Sequence, residues 1–228
     1  MKLAGVDGCK SGWLVASWHD GGNASVVTVH LAKTFREIVD SGYQVVAVDI
    51  PIGLPNQGTR DCDPAARKLL GPRRNSVFPA PIRPVLEAKT YDQACEIGRQ
   101  ADGRSLSQQA WAITKKIAEV DAVMTPETQE AVVEIHPELC FWALNGERPL
   151  EYPKKDPQGL EMRRLLLMEH LVDPALFYDL RLAGAGRDDI HDALAALWTA
   201  QRFAQGEARR VPDHDQHDAR GLRMEMWY

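Results

Sequence analysis

Three carboxylates stand where short apolar runs end: Asp7 after residues 3–6, Asp49 after residues 45–48, and Glu134 after residues 131–133. In open α/β sheets ligands bind beyond the carboxyl ends of the strands, so acids at these places face a binding site. A further group lies in Arg187-Asp188-Asp189-Ile190-His191-Asp192-Ala193-Leu194. Asp189 and Asp192 are three residues apart and share one helix face, and Ala193, Leu194, Ala196 and Leu197 bury the same helix beside them. Acids gathered near one point repel, and their charged forms need a cation. Hard oxygen donors favour Mg²⁺ or Mn²⁺ over zinc. Two such ions can hold the attacking water and the leaving oxygen of a phosphodiester. The expected chemistry is metal-assisted hydrolysis of a nucleic acid backbone, DNA or RNA. Asp7, Asp49, Glu134 and Asp192 are the expected metal ligands, with Asp189 supporting them as the fifth member of the catalytic set. Each acid alone reads equally well as structural, a strand-end acceptor or a charge offsetting a helix dipole; the joint pattern carries the expectation.

The formal net charge is −5, which excludes a wholesale polyanion binder. Basic residues nevertheless concentrate in Arg60, Arg67, Lys68, Arg73, Arg74, Arg83 and Lys89, against Asp61, Asp63 and Glu87. Such a stripe suits a phosphate-bearing ligand, and ordinary solvated charges are the competing reading. Arg60, Arg67, Arg73 and Arg74 are the candidate phosphate grips. Lys10, in Gly8-Cys9-Lys10-Ser11-Gly12, joins them if that loop cradles phosphate; otherwise the loop is a tight hairpin. His136 is either a proton shuttle beside Glu134 or a packed histidine at a strand end. Lys115 and Lys116 read as a solvated helix face, the segment His214-Asp215-Gln216-His217-Asp218 as a polar loop, and Trp111, Trp142 and Trp198 as core.

These residues need elements to hold them. Residues 3–7, 13–18 and 25–31 read as an antiparallel meander, with Asp20-Gly21-Gly22-Asn23 a turn. Thr34 with Glu37 is a capping box opening a helix to about residue 40. Residues 45–50 and 131–135 read as buried strands, and helices are expected over 91–99, 106–124, 137–144, 158–170 and 189–204. Pro and Arg are dense from residue 51 to 84, with few periodic segments, and residues 54–128 read as an insertion or cap. A meander followed by added parallel strands, flanked by helices, is an RNase H-like mixed α/β sheet, expected as one domain over residues 1–228. The four cysteines form no C-x-x-C pair, which argues against a zinc site and a disulfide framework. With no apolar leader at the N-terminus and no membrane-length apolar run, a cytoplasmic location and no membrane partner are expected.

The stretches G-V-D-G-C-K-S-G-W, V-A-V-D-I-P-I-G-L-P, C-D-P-A-A-R-K-L-L-G-P-R-R-N-S-V-F-P-A-P, L-S-Q-Q-A-W-A-I, V-E-I-H-P-E and D-A-L-A-A-L-W span nearly the whole chain. Together they resemble the domain of unknown function 429 family, described as predicted nucleases of RNase H-like fold. The D-x-x-D-A element is also similar to the last helix of RuvC-type Holliday-junction resolvases. That resemblance implies Asp7 as the first-strand acid and Asp189 with Asp192 as the helix pair. It leaves the middle acid open between Asp49 and Glu134, and the Pro51-Ile52-Gly53-Leu54-Pro55 that follows Asp49 departs from the resolvase pattern. Three further readings stand beside the nuclease: an actin-like-superfamily phosphotransferase or ATPase, a small phosphate-ester hydrolase whose insertion roofs the site, and a non-catalytic nucleic-acid or protein binding module.

Overall fold

Side chains alternate across a strand, so Leu3, Gly5 and Asp7 share one face of the first strand and Ala4 and Val6 the other. A computed structural model describes residues 1–20, 25–171 and 182–228. Strands β1 (Lys2–Cys9), β2 (Gly12–Asp20) and β3 (Ser25–Ala32) form the expected meander. The turn predicted at residues 20–23 lies outside the described residues beyond Asp20. Helix α1 (Phe35–Val39) starts where Thr34 Oγ1 accepts the Glu37 N–H, and Glu37 returns a carboxylate to the Lys33 N–H. Strand β4 (Val45–Val48) then lies parallel to β1.

Helices α2 (Cys62–Leu70), α3 (Tyr91–Asp102) and α4 (Gln108–Asp121) follow, before β5 (Val132–Glu134) pairs parallel with β4. Helices α5 (Pro137–Leu144), α6 (Pro157–His170) and α7 (Arg187–Gln205) come next, and a ribbon of β6 (Arg210–Val211) and β7 (Met226–Trp227) comes last. The main sheet runs β3-β2-β1-β4-β5, antiparallel across the first three and parallel beyond, with helices on both faces. That is the RNase H-like fold. Two layers of core follow from the alternation. Leu3, Leu14, Ala47 and Val133 pack under α5, α6 and α7, while Val6, Val15, Val48 and Val132 pack under α1 and α4.

Helix α7 lies directly on β1, and Gly5 is what allows it. A Cβ at that position would sit 2.0 Å from the Leu197 nitrogen and 2.2 Å from the Ala193 carbonyl oxygen. Both are backbone atoms and cannot rotate away. Gly5→Ala is expected to destabilise the fold by about 3 kcal/mol or more, at the upper end of overpacking costs, which denaturant unfolding measures.

The Pro- and Arg-rich stretch is more ordered than its composition suggests. Helix α2 buries Cys62, Ala66 and Leu70 at every fourth residue, and short 3-10 turns follow at Gly71–Ser76 and Arg83–Glu87. One apolar stripe over so few residues is easily lost among prolines. These residues pack against Leu139 and Trp142 of α5 and Met226 and Tyr228 of the ribbon. The segment around Asp218 is likewise no free polar loop: Asp218 is buried and accepts the N–H groups of Leu54 at 3.0 Å and Leu222 at 3.0 Å. Among the described residues no helix is long and apolar enough to cross a membrane.

Candidate active site

The parallel register sets Val6 beside Val48, so the residues that follow, Asp7 and Asp49, emerge on the same face of the sheet. That face is the one α7 covers, and Asp192, one turn into α7, arrives over both. Asp7 is 8% exposed and Asp192 2%. All three carboxyls line one cavity of about 450 Å³. Burial first, then the charges of Asp49 and Asp192, raise the Asp7 pKa well above the usual carboxylate range. Burial and Asp192 push Asp49 up to about 8, and burial pushes Asp192 up to about 6. Three acids on three separate elements thus face one another in a poorly solvated place.

Glu134 belongs to a different arrangement. It pairs in register with Val48, which puts it on the opposite face from Asp7 and Asp49. There Arg60 grips both of its oxygens, at 2.6 and 2.9 Å, and the Ile52 N–H donates to it at 2.6 Å. Arg60 also donates to Asp63 at 2.6 Å and is 1% exposed. Burial still raises Glu134 to about 7 against the pull of Arg60. Two expectations change accordingly. Arg60 is no phosphate grip, because its guanidinium is spent internally on Glu134 and Asp63. Glu134 borders the cavity, but its oxygens are already engaged, which leaves Asp49 as the middle acid of the open set. Asp189 turns away to cap its own helix, accepting the Gly186 N–H at 2.8 Å, and lies outside the cavity wall.

The basic stripe does not form a track. Arg67 donates to the Val77 carbonyl at 2.7 Å, Arg83 pairs with Asp121 and Asp218, and Arg74 is exposed away from the cavity. Arg60 and Arg73 line the cavity; with Arg60 held by Glu134 and Asp63, Arg73 is the partly exposed arginine of the wall, its Nε 3.6 Å from Glu138 in an ion pair. Lys10 is exposed in the two-residue turn of a β1–β2 hairpin in which Cys9 pairs with Gly12, so the hairpin reading of that loop holds. Lys116 is not a solvated side chain: it donates to the Gly12 carbonyl at 2.5 Å and lies over the Trp13 ring, 4.2 Å from its centroid.

The charge that matters most was not among the expected residues. Lys154, in the loop between α5 and α6, donates to Asp192 at 2.6 Å. Burial works against its ammonium, but Asp192, Asp49 and Asp7 more than offset that and hold its pKa above the usual range. Nothing periodic in Tyr152-Pro153-Lys154-Lys155 marks it; a pair of lysines between prolines and a helix cap reads as surface. His136 was weighed, and its state is now defined. Its Nε2 lies 3.2 Å from the Ser76 carbonyl oxygen, which can only accept, so Nε2 carries the proton and Nδ1 the lone pair. Burial lowers its pKa, which favours the neutral ring. Its buried Nδ1 has no hydrogen-bond partner among the described residues.

Among the described residues no group of three or more His, Cys, Asp or Glu side chains is placed so that it could hold a metal ion. The donor chemistry of Asp7, Asp49 and Asp192 nonetheless fits a hard divalent cation: three carboxylates destabilised by one another and by burial, set against the single ammonium of Lys154.

The protein-family model described as "Protein of unknown function (DUF429)" matches residues 5–217. No curated protein matches the chain. Solved structures that are similar include RuvC of Thermus thermophilus in complex with a Holliday junction substrate, 15% identical, covering 91% of this chain and 97% of that one with a TM-score of 0.38. A second structure of Thermus thermophilus RuvC is also 15% identical and covers 91% of this chain and 98% of that one, again with a TM-score of 0.38.

Proposed function

The chain belongs to the DUF429 family of proteins of unknown function, and from its site we propose that it is a Mg²⁺- or Mn²⁺-dependent nuclease hydrolysing phosphodiester bonds. The observation that carries this reading is the convergence of Asp7, Asp49 and Asp192 from β1, the end of β4 and α7 onto one cavity. Asp7, Asp49 and Asp192 would hold the cation. When bound, divalent ions stabilise charge on phosphate oxygens and make a bound water more acidic. The chain's own groups supply the rest. Lys154 keeps Asp192 ionised and oriented before metal arrives. Arg73, on the cavity wall, donates to a phosphate oxygen from its terminal nitrogens, and His136 lines the same wall as a neutral spacer. The rigidity of β1 under α7, enforced at Gly5, keeps the acids on separate, fixed elements.

The test is a calorimetric Mn²⁺ titration of the full chain, followed by a hydrolysis screen over single strands, duplexes and branched substrates with EDTA as control. Saturable binding with proton release is expected, because carboxylates held partly protonated must ionise to bind. Hydrolysis is expected with Mn²⁺ and not with EDTA. Absence of both binding and hydrolysis would sink the proposal.

A further inference from the structure

We propose that the cavity over the acids accepts one unpaired nucleotide at a time, with Phe78 as the surface on which its base stacks. This rests on the nuclease reading and names the substrate that site takes. The cavity is walled on several sides. Residues 77–81 and Ile113 of α4 close it from the insertion, and residues 153–155 close it from the loop before α6. Its volume of about 450 Å³ falls within the roughly 300–1,000 Å³ of pockets that enclose small molecules. A helical duplex keeps its bases inside its own stack and would have to present an intact backbone through that frame.

Phe78 is 42% exposed, one of few large apolar side chains open to solvent among the described residues, and it lines this cavity. Its position is fixed from both sides. The Val77 carbonyl accepts from Arg67 at 2.7 Å, and the Ala80 N–H donates to Asp63 at 2.9 Å. Val77 is fully buried. The backbone is therefore anchored around a ring that contributes little to the core. An aromatic face held in this way beside a charged site offers a base a place to stack, independent of sequence.

The polar atoms of the wall agree with such a ligand. Arg73 and His136 both line the cavity. A nucleotide brings phosphate oxygens for the Arg73 guanidinium, whose Nε faces Glu138 at 3.6 Å in an ion pair. Lys155 and Lys116 line the same cavity and add positive potential for its phosphate.

The experiment is a binding titration of the full chain with AMP, with inorganic phosphate, with a short oligo(dA) strand and with a blunt dA·dT duplex, for wild type and Phe78→Ala. Phe78 is exposed, so the variant folds. AMP or the single strand is expected to bind more tightly than the duplex, and Phe78→Ala to weaken that binding about tenfold while leaving phosphate unchanged. Binding of AMP without the strand assigns free nucleotides; tighter binding of the strand assigns an unpaired end. Equal binding of the duplex, or no change in Phe78→Ala, overturns the inference. Mn²⁺ binding without nucleotide is measured separately. Its failure alongside a Phe78-dependent AMP affinity removes the metal reading and leaves the base platform; the reverse removes the platform alone.

Discussion

Asp7→Asn is expected to lower Mn²⁺-dependent hydrolysis by more than about a hundredfold, beyond the loss typical of residues that merely orient a metal ligand, and yet to leave a chain that unfolds at higher temperature in metal-free buffer at pH 8. The amide has the carboxylate's shape without its charge. Removing that charge takes away the repulsion with Asp49 and Asp192 that, together with burial, raises the Asp7 pKa. Relief equal to one pKa unit is worth about 1.4 kcal/mol. The pH dependence has a definite sign. Asp49 moves from 3.8 in an unfolded chain to about 8 when folded, and Asp7 is raised as well. Between those values these two groups hold more protons in the folded chain than in the unfolded one, so their contribution to stability is fully present below about pH 4 and is lost as pH rises through about 8. Thermal unfolding of the metal-free wild type should show that decline, Asp7→Asn should flatten it, and Mn²⁺ should reverse it in the wild type only. A wild-type curve that rises toward pH 8 without metal would contradict the arrangement of the three acids.

Arg60→Met should do the opposite, costing stability and little else. The side chain sits between Glu134 and Asp63 with almost no solvent contact. Removing it strands two buried carboxylates, a loss of about 3–5 kcal/mol, which for a chain of this length lowers the melting temperature by roughly 6–20 °C. Arg60 is also what restrains the rise of the Glu134 pKa. Without it Glu134 can escape the penalty by taking up a proton, so the loss should be larger at pH 8 than at pH 5. A second change, Glu134→Leu, should recover part of it. If Arg60→Met instead unfolds normally but binds AMP and phosphate poorly, Arg60, which borders the cavity, acts on the ligand and not only on Glu134 and Asp63.

The strands and most helices could be read from the chain because their apolar runs are unbroken: β4 ends at Val48, and α7 buries every residue from Ile190 to Leu197. Asp7, Asp49 and Asp192 were visible for the same reason, as acids set against those runs. The separation of Glu134 from them was not visible. It depends on register, since a strand's period of two decides the face only once the Val48–Glu134 pairing is known. Arg60 looked like one more member of a basic stripe because its partners, Asp63 and Glu134, lie three and 74 residues away. Lys154 and Phe78 sit in segments with no period at all, where only tertiary contacts assign a role. Helix α2 was hidden by its brevity and by Pro64, which its first turn tolerates.

The Asp218 clasp has a consequence for the order in which the molecule assembles. Its carboxylate receives the Leu54 N–H from 164 residues earlier and the Arg83 guanidinium from 135 residues earlier. During vectorial synthesis both donors emerge long before their acceptor exists. The strands of the sheet are complete once β5 is made, but Leu54 and Arg83, on either side of the segment that walls the cavity, share their acceptor only when residue 218 follows. Contacts of such long sequence separation are slow to form. Chains stopped between residues 206 and 217, which already hold α7 over β1, should therefore protect β1 and β4 from proteolysis while leaving residues 54–87 more open to cleavage than in the full chain.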